Sequence, residues 1–193
     1  MLFRSEHGRR ADGIVAGMLL HSRGGKGERQ PTDLNSLVRE FAGLAHHGLR
    51  IKDPAFGVEL HTDFDPAVGK VEVVAQDLSR VFLNIVNNAC YAADERRKTA
   101  PEGFRPEVRV RTRRIGEAVE IRIADNGAGI SPANLQKIFE PFFTTKPTGS
   151  GTGLGLSISR DVVVQGHQGS MNVESQEGAG ATFILTLPAP PVK

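Results

Sequence analysis

From Gln76 to about Lys98 the chain places Leu78, Val81, Phe82, Ile85, Val86, Ala89 and Ala92 three and four positions apart, so a helix of about six turns must bury one broad face there. Immediately downstream the period drops to two. Val108-Val110-Thr112 and Val119-Ile121-Ile123 alternate on either side of Ile115-Gly116-Glu117, as the strands of a hairpin do. A long core helix followed by half-apolar strands calls for a sheet covered on one face. Strands and helices elsewhere mix without regular βαβ alternation, so the expected fold is an α+β two-layer sandwich rather than a doubly wound sheet.

The remaining elements fit that frame. Thr32 or Asp33 can cap a helix carrying Leu34, Leu37, Val38, Phe41 and Leu44, which Asp53-Pro54 stops. Phe56 to Asp63 and Lys70 to Val74 are strand candidates. Ser131-Pro132 is expected to open a short helix reaching Glu140, and Leu156 to Val164 a further helix ended by Gly166. Ser170 to Ser175 and Ala181 to Leu187 form a last hairpin around Gly178-Ala179-Gly180. Ahead of all these, residues 6–22 place Ala11, Ile14, Val15, Met18 and Leu19 at helical spacing, and the run Arg23 to Pro31 interrupts with glycines and a proline. A boundary at residue 30 divides the chain into a helical segment, 1–30, and a main unit, 31–193.

Composition narrows the class without naming a function. With 39% apolar and 24% charged residues in 193, the chain has material for one core. No apolar run reaches the roughly 18–20 residues of a membrane span, and the first residues lack a secretory signal. The lone Cys90 excludes a disulfide framework and fits a reducing compartment, so a cytoplasmic location is expected. A net charge of +2, with arginines gathered between Arg96 and Arg114, is too mild to predict nucleic-acid binding. Arg109, Arg111 and Arg113 alternate with Val108 and Val110, which makes them a solvated face.

Four local features carry chemistry. Asn84 and Asn88 lie one turn apart on the long helix, so both amides leave the same side. Carboxamides at a core boundary need polar partners, and an amide oxygen is a hard ligand suited to Mg²⁺. Taken alone, the pair also fits amides that cap loops. Asp125-Asn126-Gly127-Ala128-Gly129-Ile130 ends a strand with a carboxylate able to accept from a base amino group, followed by glycines that let a ring approach; an ordinary turn has the same composition. Phe139-Glu140-Pro141-Phe142-Phe143-Thr144-Thr145-Lys146 couples aromatic anchors to hydroxyls and an ammonium, or simply packs a turn. Gly149-Ser150-Gly151-Thr152-Gly153-Leu154-Gly155-Leu156 leads into a helix, where backbone N–H groups can hold phosphates. It matches neither the P-loop nor the Rossmann pattern, and a flexible linker is its plain alternative.

In this order the four features resemble the N, G1, F and G2 boxes of the ATP-binding catalytic domain of bacterial sensor histidine kinases, within the ATPase superfamily that includes gyrase, mismatch-repair proteins and a heat-shock chaperone. The resemblance runs from about Thr32 to Pro188, and Phe142-Phe143-Thr144-Thr145-Lys146 is similar to the nitrogen-regulatory type. It implies ATP and Mg²⁺ as cofactors, with Asn88 as metal ligand and Asn84 and Lys146 in catalytic roles. It implies a nucleotide site of Asn84, Asn88, Tyr91, Asp125, Gly127, Gly129, Ile130, Thr145, Lys146, Gly151, Thr152, Gly153, Leu154, Gly155, Leu156 and Thr182. In it Asp125 accepts from the adenine amino group, Gly127 and Gly129 admit the base, and Thr182 helps hold adenine through water. Asn84 stands where gyrase-like relatives have a glutamate that activates water. An amide cannot serve as a general base, so phosphoryl transfer to a protein is expected rather than rapid hydrolysis. Tyr91 departs from the resemblance, because many relatives carry a basic residue there; Lys146 or Arg96 would have to supply that charge.

In such kinases the acceptor is a histidine followed by an acidic residue, on the first helix of a dimerisation hairpin. None of His7, His21, His46, His47, His61 or His167 has that context, and residues 6–22 resemble the second helix of the hairpin. The phosphoacceptor histidine is therefore expected outside these 193 residues, with a response regulator receiver domain as the next acceptor and a homodimer as the state of a full-length parent. Autophosphorylation by this chain alone is not expected. The alternative is a nucleotide-binding scaffold, a pseudokinase or an anti-sigma-like kinase.

Overall fold

The computed structural model describes residues 27–147 and 151–190. The helix expected at 6–22, and Gly149 and Ser150 of the glycine run, lie outside the described residues. Strand β1 (Gln30–Asp33) leads into helix α1 (Leu34–Lys52), and Asp33 makes the junction: its carboxylate accepts the Ser36 N–H at 2.9 Å, satisfying a donor that the first turn leaves free. β2 (Glu59–Phe64), a 3₁₀ turn at Pro66–Val68 and β3 (Lys70–Val73) precede the long helix α2 (Ala75–Arg97). The hairpin β4 (Glu107–Ile115) and β5 (Ala118–Asp125) follows, then the single-turn α3 (Pro132–Leu135) and α4 (Gly155–Asp161), and a closing hairpin of β6 (Ser170–Gln176) and β7 (Gly180–Pro188).

Five strands form one mixed sheet in the order β2-β4-β5-β7-β6; β2 runs parallel to β4 and every other pair is antiparallel. The expected α+β sandwich is the fold observed. Val108, Val110, Val119, Ile121, Ile123, Leu185 and Leu187 point from the sheet to the helices and are 0% exposed, as are Leu78, Phe82, Ile85 and Val86 of α2. The opposite face is a ladder of charge pairs. Arg111 and Arg113 share Asp63, Arg109 meets Glu107, and Arg122 meets Glu174. This matches the solvated face expected of the arginine row.

The structure differs locally from the sequence expectation in three places. Gln30 and Pro31, expected in a linker, pair with Val73 and Glu72 in a two-stranded ribbon, where an edge strand tolerates proline. The helix expected to reach Glu140 closes after one turn, because the Asn134 carbonyl accepts from both Lys137 (2.8 Å) and Ile138 (3.0 Å) and the ladder tightens. The helix expected to run to Val164 changes to a π-helical stretch at Val162–Gly166. His167 follows that stretch and is anchored on both ring nitrogens. Its Nε2 accepts the Val74 N–H at 3.0 Å, which leaves the proton on Nδ1, and Nδ1–H donates to the Val162 carbonyl at 2.8 Å. The ring thus ties the end of this helix to the start of α2.

Candidate functional site

The polar flank of α2 forms one wall of a cavity of about 660 Å³. Asn84, Asn87, Asn88, Tyr91 and Glu95 recur at helical spacing and face it, while Ile85, Val86, Ala89 and Cys90 between them are buried in the core. Burial pushes the Cys90 thiol up to about 12, which leaves it an inert packing group.

One end of the cavity is built from backbone. Asp125 closes β5, and its Oδ1 accepts the Gly127 N–H at 2.8 Å. Burial raises its carboxyl to about 6, against the lowering effect of the Gly127 and Ala181 N–H groups. The loop beyond Asp125 is pinned from two sides. Arg96 donates to the Asn126 carbonyl at 2.8 Å and the Gly127 carbonyl at 3.3 Å while its guanidinium lies 4.8 Å from the Phe104 ring centroid. Ser175 Oγ accepts from Ile130 N–H at 2.9 Å and donates to the Gly180 carbonyl at 2.8 Å. Gly129 has φ +71, and a Cβ there would sit 2.1 Å from the Gln176 carbonyl oxygen.

The other end is built from side chains and a glycine-rich loop. Lys146 reaches from the segment after Phe143 to α2, where its Nζ donates to Asn88 Oδ1 at 2.7 Å and lies 4.4 Å from the Tyr91 ring centroid. Burial lowers its pKa. Asn84 Nδ2 donates to Ser159 Oγ at 3.1 Å, tying α2 to α4. Gly155 lies so close that a Cβ would be 2.2 Å from Asn84 Oδ1.

Of the residues expected at the site, Asn84, Asn88, Tyr91, Asp125, Gly129, Ile130, Thr145, Lys146, Gly151, Thr152, Gly153, Gly155 and Leu156 line this one cavity. Three do not. Gly127 is needed by the fold instead, because a Cβ would sit 2.6 Å from the Ala92 carbonyl carbon of α2. Leu154 is the residue before α4, where its carbonyl accepts from Ser157 Oγ and the Ile158 N–H. Thr182 alternates with Ala181 and Phe183 along β7, and it is those two that line the cavity. The hydroxyl therefore lies on the other face of the sheet. The period-two run Phe183, Leu185, Leu187 carries that register in the sequence. Arg96, considered as a source of positive charge, is engaged by the Asp125 loop, whereas Lys146 lines the cavity. Asn87, Glu95, Asn134 and Glu177 also line the cavity without having been singled out. Asn87 had a signal, since it adjoins Asn88 on the same helical flank; Asn134 and Glu177 meet the site only through tertiary structure.

A cavity walled by a helix flank, with a buried carboxylate at one end and a glycine loop at the other, on a mixed sheet, fits a nucleotide-binding ATPase fold. The chain belongs to the family of histidine kinase-, DNA gyrase B- and HSP90-like ATPases, whose model matches residues 73–191. It is 36% identical over 183 residues to the signal transduction histidine-protein kinase AtoS of Escherichia coli, covering 92% of this chain and 27% of that protein. It is 38% identical over 179 residues to the two-component sensor PprA of Pseudomonas aeruginosa, covering 93% of this chain and 18% of that protein. The chain thus spans about a quarter or less of the length of these relatives. Among solved structures it is similar to the catalytic domain of histidine kinase ThkA, with a TM-score of 0.69 and 29% identity over 83% of this chain and 95% of that one. Among the described residues no helix is long and apolar enough to cross a membrane.

Proposed function

We propose that this chain is the ATP-binding catalytic part of a two-component sensor histidine kinase, delivering the γ-phosphoryl group to a histidine on a dimerisation hairpin for relay to a response regulator. The observation that carries this reading is the convergence of Asp125, the asparagine flank of α2, Lys146 and the Gly151–Gly155 loop on one cavity. Asp125 accepts from the adenine amino group, and the Gly129 turn leaves room for the base. The phosphates then lie toward Lys146 and the N–H groups of the glycine loop.

The donor set fits Mg²⁺. Asn88 Oδ1 is a hard oxygen already placed against a cation, the Lys146 ammonium, and among the described residues no three carboxylate, imidazole or thiol groups gather into a metal cage. Mg²⁺ commonly takes one or two protein oxygens together with phosphates and water. Asn88 would hold it, and it would neutralise charge on the β- and γ-phosphates. Asn84 holds the α4 helix through Ser159 and offers no basic atom to activate water, which favours transfer to a protein acceptor over hydrolysis. The relatives named as histidine kinases support the same reading.

The test is incubation with Mg²⁺ and γ-labelled ATP beside a separately supplied histidine-bearing hairpin from a related kinase. Acid-labile, base-stable label on the hairpin is expected, and its loss in Asn88→Ala and Asp125→Ala. Steady hydrolysis without acceptor, or tight ATP binding with no transfer, would overturn the kinase assignment.

A further inference from the structure

Tyr91 lines the cavity, and the Lys146 ammonium lies 4.4 Å from its ring centroid. Resting on the nucleotide site proposed above, we propose that Tyr91 is a positioning residue for Lys146: its ring and the Asn88 amide form a two-sided seat that fixes the ammonium at the phosphate end of the cavity. The seat stands on a long helix and its occupant comes from outside regular structure. Asn88 and Tyr91 are three apart on the 23-residue helix α2, whose opposite face is core, so the amide oxygen and the ring are held on one flank. Lys146 comes from a non-helical segment on a four-carbon stem with large rotamer freedom. Partial burial disfavours its charge, and two groups offset that cost: Asn88 Oδ1 at 2.7 Å and the electron-rich ring face at 4.4 Å.

The stoichiometry of the seat matters for function. An ammonium has three N–H donors and no acceptor. Asn88 takes one and the ring face offers a diffuse attraction, so donors remain for phosphate oxygens while the nitrogen stays in place. Were Asn88 to hold a metal, the ring would be the part of the seat left to Lys146. Tyr91 thereby returns to the site, through a loop lysine, the positive charge that its own side chain lacks. Its hydroxyl plays no part in this role.

The experiment measures equilibrium binding of ATP and of adenosine, in the presence of Mg²⁺, to the full chain and four variants. Tyr91→Leu is expected to weaken ATP about three- to tenfold, the span of a partly desolvated cation–ring contact, and to leave adenosine, which lacks phosphates, within twofold. Lys146→Met is expected to weaken ATP at least as much, and the double variant no further than Lys146→Met alone. Tyr91→Phe, which keeps the ring, is expected to recover the affinity lost in Tyr91→Leu. Additive losses in the double variant, equal losses for adenosine, or failure of Tyr91→Phe to recover binding would each overturn the assignment of Tyr91. Absence of ATP binding by the unaltered chain would instead overturn the nucleotide site itself, so the two failures are distinguishable.

Discussion

The two ends of the cavity are built on opposite principles. At the Asp125 end, three backbones meet: the β5 terminus, the Gly127–Gly129 turn and the β6–β7 hairpin, with Gly180 so close that a Cβ would lie 2.0 Å from the Asp125 carbonyl oxygen. At the Lys146 end, Gly153 also approaches the Phe142 backbone closely, but the contacts onto α2 run through side chains, namely Lys146 to Asn88 and Tyr91, and Asn84 to Ser159. Backbone cannot yield without moving an element, whereas a side chain can change rotamer. The first end is therefore a fixed socket. The second is an adjustable grip, which on the proposed function would meet the phosphates.

Gly129→Ala tests that contrast most severely. The residue has φ +71, and the added methyl would strike the Gln176 carbonyl, so strain and overlap combine. A loss of roughly 2–4 kcal/mol is expected, read from the midpoint of denaturant unfolding, together with loss of adenosine binding. A variant that unfolds like the unaltered chain would show that the socket is soft and the contrast false.

Asp125→Asn comes next and leaves the backbone alone. It replaces a charged acceptor by an amide whose NH₂ group opposes a base amino group. A charge-assisted hydrogen bond contributes about 1.5–3 kcal/mol, so adenine nucleotides should bind on the order of tenfold to a hundredfold more weakly by calorimetry. An equal loss for guanine nucleotides would show that Asp125 does not read the base.

The same carboxyl sets a pH dependence. Its folded value is raised to about 6, so below that pH the free protein holds a proton where the base donor must bind. Nucleotide affinity should fall as pH drops below 6 and level off about tenfold to a hundredfold lower, the loss expected of an uncharged acceptor, and Asp125→Asn should remove the trend. Stability follows the same linkage. Because the folded state takes up this proton at higher pH than the unfolded chain does, Asp125 costs stability as pH rises from about 4 through 6. Asp125→Asn should accordingly gain more in melting temperature over the unaltered chain at pH 8 than at pH 5.

What the sequence disclosed divides along the same line. Asn84, Asn88, Asp125 and Lys146 were legible because each belongs to a short motif whose local geometry already aims it. The sandwich was legible because periods of 3.6 and two follow each other from Gln76 to Ile123. What escaped were relations between distant segments. Gly127 serves the approach to Ala92 rather than the cavity, Arg96 is spent on the loop after Asp125, and His167 joins the end of the helical stretch after α4 to Val74. Thr182 is a different kind of miss. Chemistry favoured a hydroxyl, but the alternation of its own strand places Ala181 in the cavity, and one residue of register exchanges the two faces.

The smallest expected effect lies at the grip, in Gly155→Ala. The added Cβ would approach Asn84 Oδ1 at 2.2 Å, nominally as severe an overlap as at Gly129. The obstacle here is the end of a side chain, and no positive φ is involved. Alanine also favours the helix that begins at this residue by up to about 1 kcal/mol over glycine. Asn84 can swing aside, at the cost of its 3.1 Å hydrogen bond to Ser159, a neutral contact that contributes about 1 kcal/mol. These changes nearly cancel, so unfolding should shift by less than about 1 kcal/mol, while ATP binds a few-fold more weakly because Asn84 has left its place beside Asn88. Adenosine should be unaffected. If Gly155→Ala instead unfolds the chain as readily as Gly129→Ala, the grip is as fixed as the socket, and the adjustability inferred for the phosphate end is wrong.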